Sequence, residues 1–293
     1  MSCNYAVGID IGGTNLRLGL VDAQGRLSAF EKHSVTALDG VSGLADAVAE
    51  YIRRQGVAVC AVCAGFPATV DKARETVLDA PNLKGFNGVP VRRLLEQALD
   101  IPCYIERDVN LLLLHDLQAL GIAGGDIVAC YVGTGIGNAI MVDGRLLVGH
   151  NGVAGELGHI PFGTSERACG CGNIGCAEPL AGGRYLAEYA KAVGADIGSL
   201  FVSCADAPEL KSFVEALGRV IAAEVNIIDP ETVLLGGGVI DMEGFPKQAL
   251  EQTILAHTRK PLPYQNLKIC YSAAADGMGG VIGAGLYAWR KRG

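Results

Sequence analysis

The sequence predicts an α/β protein made of two related halves, and three observations predict it. Apolar runs of strand character alternate with apolar stripes at helical spacing along most of the chain. One segment, Val7-Gly8-Ile9-Asp10-Ile11-Gly12-Gly13-Thr14-Asn15, leads into Leu16–Val21, Asp22 and Gly25-Arg26-Leu27. It is echoed by Tyr131-Val132-Gly133-Thr134-Gly135-Ile136-Gly137-Asn138, then Ala139–Val142, Asp143 and Gly144-Arg145-Leu146. Each copy reads as a strand, a glycine-rich turn and a second strand, and Asp143-Gly144 is a favoured hairpin turn. No low-complexity linker separates the copies, so the halves should meet at a hinge near Leu114–Gly125.

Each element has its own signal. Tyr5–Ile9 and Leu16–Val21 read as strands, the second with Leu16, Leu18 and Leu20 on one face. Leu44, Val48, Tyr51 and Ile52 recur at helical spacing, as do Val91, Leu94, Leu95 and Ala98. Pro102–Ile105 is strand-like, and the apolar run Leu111–Leu114 follows it. A long helix is predicted over Pro208–Ile228, with Leu210, Phe213, Val214, Leu217, Val220 and Ile221 as its stripe. Thr232–Leu235 is a short strand running into Gly236-Gly237-Gly238. A small-residue helix ends the chain. The expected division is 1–115 for the first half, with the terminal helix 280–293 packing back on it, and 116–279 for the second.

Half of the 293 residues are apolar and 19% are charged, which suits a filled core. A net charge of −7 argues against nucleic acid or an acidic membrane as partner. The uncharged run Ile127–Val142 is interrupted by three glycines and an asparagine and falls short of the roughly 18 apolar residues of a span. The N-terminus lacks a basic stretch followed by an apolar run, so no signal peptide is expected and the location expected is cytoplasmic. Thiols there stay reduced. Of ten cysteines, Cys3, Cys60, Cys63, Cys103, Cys130, Cys204 and Cys270 are accordingly read as free packing residues, the Cys60–Cys63 pair included.

The glycine turns can bring backbone N–H groups to phosphate oxygens. Glycines also simply make tight turns. A dinucleotide fingerprint needs the glycine turn to open a helix, whereas a strand follows each turn here. No Gly-Lys-Ser/Thr follows either, which excludes a Walker loop. Thr14 and Thr134 sit at the two tips. Asp10, at the end of the first strand, can hold Mg²⁺ or can cap the turn.

Cys169-Gly170-Cys171-Gly172-Asn173-Ile174-Gly175-Cys176 is a different kind of cysteine cluster, with His159 ten residues before it. Three sulfurs and one imidazole make a closed tetrahedral zinc set, which is a structural rather than a catalytic site. Glu156 precedes His159 by three residues, and Glu178 follows Cys176 by two. Metal binding would then place two carboxylates with the second ring nitrogen of His159, a constellation suited to a polyhydroxylated ligand. The same charges also read as a solvated rim. Asp108, at a strand-to-helix junction, can be an N-cap, a general base for an alcohol attacking phosphorus, or both.

Together these residues resemble the ROK family of sugar kinases, within the actin-like ATPase superfamily. The matching stretches are Asp10–Asn15, Pro81-Asn82-Leu83, Asp108 with Asn110, Gly133–Gly137, Gly155–His159, Cys169–Glu178 and Leu235–Val239, in the family's order. The resemblance implies a two-lobed actin-like (ribonuclease H-like) fold with a cleft between the lobes. It implies ATP-dependent phosphorylation of a free hexose at its 6-hydroxyl, with ATP, Mg²⁺ and structural Zn²⁺ as cofactors, and a homodimer. Asp108 would be the catalytic base. Asn82, Arg107, Asn110, Glu156, His159 and Glu178 would serve the sugar. Gly8, Asp10, Gly12, Gly13, Thr14, Asn15, Gly133, Thr134, Gly135, Gly137, Gly237 and Gly238 would serve ATP. His159, Cys169, Cys171 and Cys176 would hold zinc. Repressors of the family carry an N-terminal helix-turn-helix module, for which a first strand starting near residue 5 is read as leaving no room. Two departures stand out: Arg107 replaces the asparagine that contacts sugar in family glucokinases, and Asn138-Ala139 replaces further glycines. Arg107–Asn110, Gly65–Ala68, Gly236–Met242 and Arg259–Pro263 resemble the family's D-allose kinases, which implies D-allose as substrate.

Overall fold

The protein is described by a computed structural model covering residues 3–163, 165–274 and 277–292. Met1, Ser2 and Gly293, at the ends of the expected segments 1–115 and 280–293, lie outside the described residues, as do Thr164, Ala275 and Asp276. The chain forms two units. The first comprises Met1–Ala123, Val148–Ala154 and Ala273–Gly293; the second comprises Gly124–Leu147 and Gly155–Ser272. The division differs from 115/116 because the helix holding Asp108 runs to Ala119 and stays with the first unit, and because the short stretch 148–154 returns to it.

In the first unit, β1 (Tyr5–Ile11), β2 (Asn15–Val21) and β3 (Leu27–Ser34) form an antiparallel meander, followed by α1 (Gly40–Gln55). β4 (Val59–Phe66) pairs parallel with β1, and β7 (Cys103–Arg107) pairs parallel with β4, giving the order β3-β2-β1-β4-β7. Between them lie a two-stranded ribbon, β5 (Thr69–Val70) with β6 (Val77–Asp79), and α2 (Val91–Leu99). α3 (Asp108–Ala119) leaves β7 directly, and α9 (Gly279–Arg292) packs on β1, β4 and α3. Small residues make that packing possible: a Cβ at Gly8 would run into the backbone carbonyl of Val281, and one at Gly283 into that of Leu111. The core of this unit is Val7, Ile9, Leu16, Leu18, Leu44, Tyr51, Phe66, Phe86 and Ile105, with their neighbours.

The second unit repeats the plan. β8 (Ile127–Val132), β9 (Ile136–Val142) and β10 (Arg145–Leu146) form the meander, while β11 (Thr232–Gly236) and β12 (Lys268–Tyr271) add in parallel on the other side, in the order β10-β9-β8-β11-β12. Its helices are α4 (Glu178–Ala181), α5 (Gly183–Val193), α6 (Leu200–Ser203), α7 (Pro208–Ile228) and α8 (Lys247–His257). α7 has the bounds its apolar stripe predicts and buries that stripe against the sheet and α8. Among the described residues no helix is long and apolar enough to cross a membrane.

One expectation is overturned. Cys3 and Cys60 are joined by a disulfide, with Cα atoms 5.4 Å apart, and are not free packing thiols. Parallel pairing sets Tyr5 opposite Val59, so the residues at the start of both strands meet, a juxtaposition that 57 positions of sequence separation conceal. Cys63, Cys103 and Cys130 are free and buried, as their apolar neighbours suggest.

Candidate active site

In the first unit the parallel strands β1, β4 and β7 end together, and the candidate catalytic groups stand at those ends, the usual ligand position in open α/β sheets. Asp10 lies near the end of β1. Gly12, Gly13 and Thr14 then make the turn, closed by Gly12 N–H donating to Asn15 O at 2.8 Å. Gly13 and Thr14 are exposed, and Asn15 opens β2. The turn lies beside the Pro81-Asn82-Leu83 loop, since a Cβ on Gly13 would be 3.6 Å from Asn82 Cβ. Asn82 lines a recess of about 570 Å³ with Lys84 and Asn87. Gly280, at the start of α9, backs Asp10 so closely that a Cβ there would sit 2.8 Å from the carboxyl carbon.

Asp108 is the first residue of α3, with Arg107 rather than Asp108 in the cap position. Its Oδ1 accepts the Val109 N–H at 2.8 Å. Burial, and after it the charge of Asp10, pushes its pKa up to about 7; the Val109 N–H and the Arg107 charge pull the other way. A carboxylate held near neutrality by low dielectric and a like charge is suited to taking a proton at physiological pH. Burial likewise raises the Asp10 pKa, opposed by Arg17.

Arg17 joins the site although no motif in the sequence marks it. Its Nη1 donates to Asp10 Oδ2 at 2.7 Å. The signal was available: folding the hairpin about Gly12–Thr14 sets Asp10 opposite Arg17 in the β1–β2 register. Arg107 is buried and its Nη1 donates to Ala154 O. Asn110 is buried in the first turn of α3 and donates to Glu106 Oε1 at 2.9 Å. Gly8 lies within β1 against α9.

In the second unit the turn Gly133-Thr134-Gly135 joins β8 to β9. Its carbonyls are held from the start of α5: Gly183 N–H donates to Gly133 O and Arg184 N–H to Thr134 O, each at 2.9 Å. Glu178 Oε2 accepts the Ile136 N–H at 2.9 Å, so this carboxylate braces the turn. A Cβ on Gly135 would overlap it. Gly137 is paired with Tyr131 inside the hairpin. Gly237, with φ +95°, and Gly238 turn the chain after β11; a Cβ on Gly237 would lie 2.6 Å from Val132 O.

The Cys/His cluster belongs to the same unit. The ligand atoms of His159, Cys169, Cys171 and Cys176 all lie within 4.8 Å of one another. His159 Nδ1 is 3.4 Å from Cys169 Sγ, and Cys171 Sγ is 3.7 Å from Cys176 Sγ. A tetrahedron with zinc–sulfur bonds of about 2.3 Å and zinc–nitrogen of about 2.0 Å requires edges close to these. The donor set therefore fits zinc. The other ring nitrogen of His159, Nε2, faces Glu156 Oε2 at 3.7 Å.

This geometry has counterparts among known proteins. The chain is 35% identical over 188 residues to a glucokinase from Streptomyces coelicolor, a match that spans 63% of this chain and 58% of that protein's length. It is 29% identical over 288 residues to the N-acetylmannosamine kinase of Salmonella typhi, covering 96% of this chain and 97% of that one. The structure of a ROK family glucokinase from Streptomyces griseus in complex with glucose and AMPPNP superposes with a TM-score of 0.82 at 26% identity, covering 99% of this chain and all of that one. A family model described as the ROK family matches residues 6–291. That match takes in both glycine hairpins, the Asp108 turn and the Cys/His cluster, and the chain belongs to the ROK family.

Proposed function

We propose that this protein is an ATP-dependent hexose kinase that phosphorylates the 6-hydroxyl of a free hexose, with D-allose as its leading substrate. The observation that carries the reading is the end of the first unit's sheet, where parallel register brings the ends of β1 and β7 together, so that Asp10, the exposed glycine turn after it and Asp108 at the head of α3 share one sheet end. Asp108 would accept the proton of the 6-hydroxyl as that oxygen attacks the γ-phosphorus, while the bond to the bridging oxygen breaks and ADP leaves. Such base help is worth about 10²–10⁴-fold, the rest coming from positioning and charge neutralisation. Asp10 would hold Mg²⁺, which neutralises phosphate charge, and one carboxylate with phosphate oxygens is a usual set for that ion.

The N–H groups of Gly12–Asn15 and of Gly133–Gly137 would serve the phosphates, and Gly237 and Gly238 would let the nucleoside approach. Asn82, Asn110, Glu156, His159 and Glu178 would serve the sugar, with Arg107 beside them. Zinc at His159, Cys169, Cys171 and Cys176 would order a loop rich in glycine and fix the His159 ring for its ligand. The net charge of −7 fits a small-molecule substrate better than nucleic acid. The reading includes a homodimer in the cytoplasm.

A second reading, glucose or N-acetylmannosamine as the preferred sugar, is favoured by the names of the relatives. Epimers differ in the direction of one hydroxyl, and discrimination rests on buried hydrogen-bond partners. The test is ADP release with D-allose, D-glucose, D-mannose, D-fructose and N-acetylmannosamine. D-allose is expected among the best by kcat/KM. Turnover of another sugar alone would replace the substrate, and turnover of none would remove the kinase reading.

A further inference from the structure

Four polar residues converge in the interior of the first unit, and the proposed chemistry leaves two of them without a role. Arg74, Glu106, Arg107 and Asn110 are 9%, 2%, 8% and 3% exposed. Glu106 is the centre. Its carboxylate lies 2.9 Å from Arg74 Nε and accepts the Arg107 N–H and the Asn110 side-chain amide, each at 2.9 Å. An isolated buried charge would be expensive, and here the carboxylate is matched by a guanidinium and three hydrogen bonds. Arg74 holds a positive φ of 56°, a conformation that a non-glycine residue seldom adopts and that persists where surroundings enforce it.

Both arginines reach out of this network to one stretch of chain. Arg74 Nη1 donates to Gly152 O at 3.1 Å, besides Val70 O and Asp71 O, and Arg107 Nη1 donates to Ala154 O at 2.5 Å. Gly152, with φ +89°, is seated so that a Cβ would lie 2.5 Å from Val70 O. The stretch Val148–Ala154 has neither helix nor strand, so these bonds help to hold it. It runs directly into Gly155-Glu156, and Glu106 stands two residues before Asp108.

We infer that Glu106, Arg74 and Arg107 form a buried clamp that fixes Val148–Ala154 against the turn bearing Asp108, and that they are positioning residues for the sugar step. The inference rests on the kinase reading for its catalytic consequence and on geometry alone for the clamp. It gives the Arg107 departure a purpose, because asparagine is too short to span the distance a guanidinium covers to Ala154 O.

The test uses the full-length protein carrying Arg107→Met, Arg107→Lys, Arg74→Met, or both methionine changes. With D-allose and D-glucose as probes, Arg107→Met should raise the sugar KM about tenfold while the ATP KM moves less than about twofold. Arg107→Lys keeps one donor and should recover at least about a third of that loss, and the double variant should be about as impaired as the worse single one, as for residues acting as a unit. In substrate-free protein, amide exchange over 148–156 should be about tenfold faster in Arg107→Met, with β1 and β4 unchanged. A sugar KM within twofold of wild type, a parallel rise in ATP KM, or unchanged exchange over 148–156 would overturn the clamp. If the wild type phosphorylates only another of the five sugars, that sugar replaces the probe; if it phosphorylates none, the kinase reading fails separately and the exchange result alone decides the clamp. If Arg107→Met is insoluble, Arg107→Lys and Glu106→Gln carry the same exchange comparison.

Discussion

In the first unit the strand leading into the glycine turn presents Asp10 near its end; in the second the corresponding strand, β8, ends in Val132. The strand at the parallel edge differs in the same way. β7 leads straight into Asp108 and a helix, whereas β12 ends at Tyr271 and the chain leaves the unit at Ser272. Strand order and pairing direction are otherwise repeated. A repeated topology thus provides a turn and a set of strand ends twice, and the side chains placed there decide what each copy can do. The first copy carries Asp10 and Asp108. The second carries a carboxylate, Glu178, that enters from a helix to brace the turn, and a four-ligand cluster in the insertion after β10.

If that division of labour holds, the largest loss follows from one atom in the first unit. Asp108→Asn removes the proton acceptor while keeping the size of the side chain and an oxygen for the Val109 N–H. Its kcat should fall by at least about 10²–10⁴-fold, with sugar binding by calorimetry largely retained. Near-normal turnover would sink the base assignment and, with it, the contrast between the copies.

A smaller effect should come from the second unit. Wild-type protein should carry about one zinc per chain, and Cys171→Ser should lose it, since three remaining ligands do not close the tetrahedron. Metal analysis and thermal denaturation read this: the melting temperature should fall by several degrees, because metal binding is folding free energy for a loop that holds itself poorly. A wild-type protein purified without chelator and free of zinc would reject the site.

Much of this comparison was legible in the sequence, and the reason is that its signals are local. The two glycine hairpins, the α7 stripe and the Cys169–Cys176 string each lie within a few turns of chain, so spacing alone carries them. The Asp10–Arg17 pair was recoverable by the same logic, because a hairpin's register follows from its turn. What stayed hidden depends on tertiary contact. Cys3 and Cys60 meet through parallel pairing of β1 with β4, Arg74 and Glu106 are 32 positions apart, and Arg107 reaches Ala154 over 47. Asp108 was visible as a candidate, but its raised pKa was not, since that comes from burial and the proximity of Asp10.

The two interiors also differ in how they keep a buried acid, and this sets up the smallest effect. Glu106 in the first unit is matched by Arg74. Glu224 on α7 has as its hydrogen-bond partner the neutral Asn138, whose Nδ2 donates to Glu224 Oε2 and to Ala129 O, both at 3.0 Å. With no cation among the described residues to offset desolvation, burial pushes the Glu224 pKa from its ordinary 4.5 up to about 8. Below pH 4.5 the group is protonated in folded and unfolded chains alike and costs nothing. Between pH 4.5 and 8 the unfolded chain ionises while the folded one keeps its proton, so stability falls as pH rises through that window. The slope from this residue is bounded by about 1.4 kcal/mol per pH unit. Glu224→Gln keeps an acceptor for Asn138 and cannot ionise, so its urea midpoints at pH 5.5, 6.5 and 7.5 should decline less steeply than those of the wild type. Asp10 and Asp108, which also have raised pKa values, are present in both proteins and drop out of the difference. Parallel slopes would mean that Glu224 is ionised in the folded protein, and that the second unit tolerates a buried charge without the cation the first unit supplies.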